Sequence, residues 1–187
     1  MTNKILFFGC GTHREAAMMS YLLGRAESEF KGVPATIRGY SLCIQRLDQT
    51  PDTIFVNEHG SFSVQSLLRR NWDDSFRNYI IKADPEGSVA GIIWELDYLD
   101  FEIIKYWEIV DYGWYEECDV VAHTDDGQQI SVRSVRLRKG HQIDSIVDSI
   151  SYDPWLQSQE QYKIAATKSR QDFLSLNAEK LMTDSKS

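Results

Sequence analysis

The sequence predicts an α+β protein: a mixed, largely antiparallel small β-barrel or sheet with flanking helices and a C-terminal helix. Three observations carry this. Strand-like apolar runs outnumber helical ones and do not alternate with them, which argues against a parallel βαβ sheet. Clusters of Gly, Pro and Asp separate the runs where turns need them. The 187 residues are 42% hydrophobic and 26% charged, enough apolar side chain for one core without staples.

The first strand is residues 4–8, a short apolar run stopped by glycines. Gly9-Cys10-Gly11 reads as a tight turn. Thr12 and Glu15 fit a capping box opening a helix that ends near Gly24. Alternating apolar residues predict a strand over 36–46 and a weaker one over 53–56. Residues 62–77 are polar with Trp72 and Phe76 inserted, which suits a loop carrying a short helix. Strands at 78–82 and 88–96 flank Asp84-Pro85-Glu86-Gly87, a turn by composition. Leu99, Ile103, Tyr106, Trp107 and Val110 recur near helical spacing and predict a helix over 98–110. Strands at 115–123 and 129–137 face each other across Asp125-Asp126-Gly127, a hairpin signal.

Beyond Gly140 the character changes. Trp155, Tyr162, Ala166, Phe173, Leu174 and Leu181 fall near helical spacing, so a helix is expected from 153 to about 182. It would pack on the barrel or on a second copy of the chain, and 183–187 reads as disordered. Residues 1–139 therefore form one domain and 140–187 a helical extension, a candidate surface for homo-oligomers.

A net charge of −8 and a pI of about 5.0 argue against nucleic acid or an anionic membrane as partner. The basic run Arg133, Arg136, Arg138 and Lys139 reads as a solvated strand edge. The three cysteines, Cys10, Cys43 and Cys118, form no CxxC pair, so a reducing, cytoplasmic setting is expected. The N-terminal MTNKILFFGCG lacks the apolar core and cleavage site of a signal peptide. No stretch approaches the ~18–20 apolar residues of a membrane span. His59, His123 and His141 are scattered without metal-ligand spacing, and neither cofactor nor metal is expected.

The glycine turn admits several readings. It begins like the dinucleotide fingerprint GxGxxG, but Arg14 replaces the third glycine, and no buried strand precedes Glu27 and Glu29. Cys10 and His13 suggest a thiolate pair, yet no orienting group is visible. A strand-turn-helix can instead hold a carboxylate on the unpaired first amides of the helix. It can also be a helix cap with no ligand at all.

Leu6-Phe7-Phe8-Gly9-Cys10-Gly11-Thr12-His13 resembles the opening strand and Tyr-Gly-Ser motif of the γ-glutamylcyclotransferase-like family, with Gly11 and Thr12 matching Gly-Ser and Cys10 in place of Tyr. Ile37-Arg38-Gly39-Tyr40-Ser41-Leu42 and DPEGSVAGIIWEL at 84–96 resemble its next strands. The family's helix delivers an acid in a Leu-Asp-x-x-Glu-Gly pattern. Here Glu108 keeps the acid, while Lys105 and Ile109 depart from the flanks. Tyr115, seven residues on, matches a tyrosine beside the substrate. The resemblance spans about residues 4–137.

It implies an acyltransferase-type reaction without cofactor, in which the α-amine of a γ-glutamyl compound attacks its own γ-carbonyl. 5-Oxoproline closes and an amine leaves. Glu108 would be the general acid/base. The turn Gly9, Cys10, Gly11, Thr12 and His13 would hold the substrate carboxylate, with Tyr115 beside it. Glu102 is the fallback acid, but no tyrosine lies seven residues after it. The rival expectation is a non-catalytic binding or regulatory module on the same fold.

Overall fold

The computed structural model describes residues 4–57, 60–148 and 151–178. Its strands are β1 (Lys4–Gly9), β2 (Val33–Arg46), β3 (Ile54–Asn57), β4 (Gly60–Ser63), β5 (Arg77–Asp97), β6 (Tyr115–Thr124), β7 (Gln129–Leu137) and β8 (Ser145–Val147). The helices are α1 (Ala16–Leu23), α2 (Val64–Leu68), α3 (Tyr98–Trp107) and α4 (Gln159–Leu176). This is the mixed, mostly antiparallel architecture that the sequence predicts.

Six strands form one sheet in the order β1-β5-β7-β6-β2-β8, and further β1–β7 and β5–β2 pairings close five of them into a ring. The long strands make closure possible. β5 runs antiparallel to β1 through Lys4↔Asp97 to Gly9↔Ile92, and antiparallel to β2 down to Arg46↔Arg77. A sheet closed in this way leaves few unpaired edges. β3 and β4 form a separate hairpin.

The alternation of β1 distributes its side chains between two cores. Phe8 enters the barrel with Ile37, Leu42, Ile81, Val89 and Val120. Ile5 and Phe7 face outward, under the helices, with Met18, Leu22, Phe101 and Ile104. α4 packs on α1 and α3, and its Tyr162, Ala165 and Ala166 join this outer core. No helix among the described residues is long and apolar enough to cross a membrane.

Several expectations change. Asp84–Gly87 does not reverse the chain: β5 is continuous, and Arg38 pairs with Ser88 while Tyr40 pairs with Ala83. The four turn-forming residues bulge out opposite Gly39, whose φ of 83° marks the irregularity in β2. Pro85 has no N–H to offer a ladder, so it is tolerated there. Thr12 and Glu15 form no capping box. A 3-10 turn covers Gly11–Arg14 with Cys10 at its start, and α1 begins only after Glu15. α1 does end at Gly24, in the left-handed conformation that stops helices. α4 begins at Gln159, capped by Ser158, rather than at 153. β4 and β8 are unpredicted. The residues at 183–187, the end of the last helix beyond 178, and His59 lie outside the described residues.

The basic run does not mark a strand edge: Arg133 and Arg136 lie on β7, which pairs on both sides, and Arg138 and Lys139 follow it; the three arginines meet carboxylates of β6. Arg136 and Arg138 bond Glu116, and Arg133 bonds Glu117, at 2.8, 3.7 and 3.0 Å. These exposed pairs contribute little to stability individually.

Candidate active site

Glu108 ends α3, and its amide closes the helix on Ile104 O. The next residue, Ile109, adopts φ 55°, ψ 36°. That left-handed conformation is unfavourable for a β-branched side chain. It turns the chain sharply after Glu108, through a second 3-10 turn, into β6 and Tyr115. The carboxyl is thereby buried, with 5% of the residue exposed.

Burial dominates its chemistry. The Glu108 carboxyl is pushed up to about 8, against a smaller opposing influence from the Asn78 amide. Its Oε1 lies 3.3 Å from His13 Nδ1. Burial pulls the His13 imidazole down to about 4. The pair therefore carries no net charge at neutral pH, whichever of the two atoms holds the shared proton. His13 is fixed by Trp94, whose indole N–H donates to His13 O at 2.8 Å, and by Phe7, packed edge-on against its ring.

Tyr115 is fully buried at the start of β6, and its hydroxyl is a relay point. It donates to Gln45 Oε1 at 3.0 Å and accepts from Asn78 Nδ2 at 3.1 Å. Burial, with the nearby Glu108, holds it in the un-ionised form. Tyr115 also stacks on Trp114, with ring centroids 4.3 Å apart.

Glu108, Asn78 and Tyr115 line one pocket with about 850 Å³ of empty space, its open mouth included. Its wall is aromatic: Trp72, Phe76, Trp107, Tyr112, Trp114 and Tyr162. Four of its buried polar atoms have no hydrogen-bond partner: Glu108 Oε2, Asn71 Oδ1, Trp114 Nε1 and the Tyr162 hydroxyl. Unpaired buried polar atoms are rare and costly in folded proteins. Their presence in one aromatic-walled cavity makes it the candidate ligand site. Tyr162 reaches it from α4, where burial keeps the phenol un-ionised beside Thr12 and Glu108.

The N-terminal turn is arranged differently from the expected open nook. Gly11 has φ 57°, and any side chain there would strike Tyr79. Its N–H donates to the Tyr152 hydroxyl at 2.9 Å. Gly9, Cys10, Gly11 and Thr12 do not line the pocket, and His13 meets it through Glu108. Cys10 keeps some exposure, yet desolvation, with Glu108 next in weight, holds its thiol at about 12. A thiolate nucleophile has no support from that environment. Glu102 pairs with Lys105 at 2.7 Å on the outer face of α3 and does not line the pocket. Among the described residues, no three His, Cys, Asp or Glu side chains gather as a metal site.

The structure places Glu108, His13 and Tyr115, three residues singled out from the sequence, in one cluster, and it adds Asn71, Asn78, Gln45, Tyr152 and Tyr162, which the sequence did not single out as site residues. Trp114 and Tyr162 look like ordinary core aromatics until their polar ends are seen to lack partners.

No family model matches the chain, and no curated protein matches its sequence. Solved structures do. An uncharacterized protein from Homo sapiens aligns over 76% of this chain and 70% of its own at 17% identity, with a TM-score of 0.51. A gamma-glutamyl cyclotransferase aligns over 75% and 70% at 18% identity, with a TM-score of 0.47. An Arabidopsis thaliana protein aligns over 95% and 93% at 14% identity, with a TM-score of 0.48. The human protein shares the fold of this chain; at such identities the likeness is one of fold alone.

Proposed function

We propose that the chain is a γ-glutamylcyclotransferase-like enzyme that converts a γ-glutamyl amide into 5-oxoproline and a free amine, with Glu108 as general acid/base. One observation carries the reading: a carboxyl held near neutral titration, with one oxygen unpaired, at the bottom of an aromatic pocket. A general base works best when its pKa lies near the working pH.

The substrate α-nitrogen arrives as an ammonium. Ionised Glu108 accepts a proton from it, and the freed nitrogen attacks the γ-carbonyl. The new C–N bond closes the lactam ring as the old amide C–N bond breaks. Two protons leave the attacking nitrogen and two arrive on the leaving nitrogen; Glu108 carries them one at a time, and the His13 nitrogen can share the load. Trp114 N–H and Tyr162 O–H are the free donors for the carbonyl oxygen as it gains charge. Confinement between aromatic walls holds the amine close to the carbonyl.

Release of 5-oxoproline from a panel of γ-glutamyl amides tests this. Wild type turns over at least one of them, and Glu108→Gln lowers kcat by at least about 1,000-fold while remaining folded. A silent wild type on the whole panel sinks the enzyme reading.

One observation favours a second reading, a binding or regulatory module without turnover. The Gly11 amide, expected to meet the substrate carboxylate, already bonds Tyr152. Under that reading γ-glutamyl ligands bind the wild type and are recovered intact.

A further inference from the structure

The cyclisation reading leaves the leaving amine undefined, and the far wall of the pocket bears on it. From the proposed reaction we infer that the leaving group is an aromatic amino acid, so that the substrate is a γ-glutamyl dipeptide with an aromatic second residue. The inference rests on the reading above for its chemistry but on separate residues for its specificity.

Glu108, Asn78 and Tyr115 form the polar end of the pocket. Much of the remaining wall is aromatic: Trp72, Phe76, Trp107 and Tyr112. Trp72 and Phe76 are buried, whereas Trp107 and Tyr112 keep partial exposure, and a small or wholly polar leaving group would leave those two rings uncovered. An aromatic ring would stack on them, and such ring pairs contribute beyond the area they bury. The faces are held rigidly: Trp72 sits edge-on to Trp107 and Tyr162, with centroids 6.1 and 5.1 Å apart. A preformed aromatic slot loses little entropy on binding.

Charge beside the pocket selects within the aromatic amines. Arg70, Arg77 and Asp172 are among its lining residues. Neither arginine has a carboxylate at ion-pair distance among the described residues. In a chain of net charge −8, two arginines without a carboxylate partner beside one pocket are a local exception. They favour a leaving group that carries a carboxylate, which guanidinium binds in a two-pronged geometry. They disfavour a polyamine, although the aromatic faces alone would accept a cation.

The test measures kcat/KM for 5-oxoproline release from γ-glutamyl-phenylalanine, γ-glutamyl-phenethylamide, γ-glutamyl-alanine and γ-glutamyl-putrescine. The phenylalanine dipeptide is expected to exceed the alanine one at least 10-fold and the putrescine amide by more. Arg77→Gln, at an exposed position that leaves the core intact, should raise KM for the phenylalanine dipeptide about 5-fold and leave the phenethylamide unchanged. Alanine or putrescine equal to phenylalanine overturns the inference. An Arg77→Gln effect of the same size on both aromatic substrates removes the arginines from it. The same four ligands are titrated into wild type and Glu108→Gln by quenching of tryptophan fluorescence. Preferential binding of the phenylalanine dipeptide without turnover sustains the specificity and rejects the cyclisation. Absence of binding by all four overturns both.

Discussion

At Glu108 and Ile109 two neighbouring residues sit in states that a chain normally avoids. Glu108 is an acid without solvent, and Ile109 is a β-branched residue at φ 55°. In the resembled pattern the acid is followed by Gly, which adopts this conformation freely. Ile109 keeps the turn by contributing buried apolar surface to the outer core, which offsets the backbone strain. The two effects separate by substitution. Ile109→Ala loses the packing and keeps the strain; Ile109→Gly loses the packing and releases it. Urea denaturation should therefore find the glycine variant about 1 kcal/mol more stable than the alanine variant, the reverse of the order inside an ordinary helix. An alanine variant equal to or above glycine would show the turn unstrained. The acid itself is checked by its pH profile. With the Glu108 carboxyl at about 8, kcat/KM should climb toward that pH on its acidic limb. Asn78→Leu removes the one polar group that opposes the upward shift and should move that limb to higher pH. A limb near the ordinary carboxylate value would exclude Glu108 as the titrating base.

At the scale of elements, the extension after β7 is part of the site rather than an appendage to it. Tyr152 secures the Gly11 amide, α4 supplies Tyr162, and α4 packs on α1. Removing the Tyr152 hydroxyl strands a buried N–H, so Tyr152→Phe should cost about 1–3 kcal/mol in thermal or urea unfolding. A change below about 0.5 kcal/mol would mean that the amide finds another acceptor. The helix itself was expected, but the Tyr152 bond was not legible beforehand, because a hydroxyl bonded 141 residues away leaves no periodic trace in either segment. What could be read was local. Apolar runs gave β1, β6 and β7, Gly24 gave the end of α1, and the family resemblance pointed to Glu108 and Tyr115, which line the pocket. What was misread depended on pairing. Asp84–Gly87 has the composition of a reversal, yet the antiparallel β2 on one side carries the strand straight through it as a bulge. The capping box at Thr12 failed for a related reason: Gly11 packs so tightly on Tyr79 that the chain enters a 3-10 turn first.

For the whole molecule, the buried Glu108–His13 pair links stability to pH in a way that surface charge does not. Glu108 titrates at about 8 in the fold against 4.5 ordinarily, so the folded state holds a proton that the unfolded chain releases. Its contribution is full below pH 4.5 and is lost as pH rises through about 8. His13 titrates at about 4 against 6.5, so its contribution is full above pH 6.5 and is lost as pH falls through about 4. Between pH 4.5 and 6.5 the two slopes oppose each other and cancel to first order. Between pH 6.5 and 8 only Glu108 acts, and stability falls by up to about 1.4 kcal/mol per pH unit. Glu108→Gln removes that term and leaves the His13 term. Its stability relative to wild type should rise steadily from pH 4.5 to 8 and level off beyond, read from urea midpoints at fixed ionic strength. The subtraction cancels the acidic surface, which is common to both proteins. A difference curve that is flat across this window would mean that the carboxyl is already ionised in the folded chain. The aromatic pocket would then hold an anion at neutral pH, and the wild type would bind cations there in preference to neutral ligands.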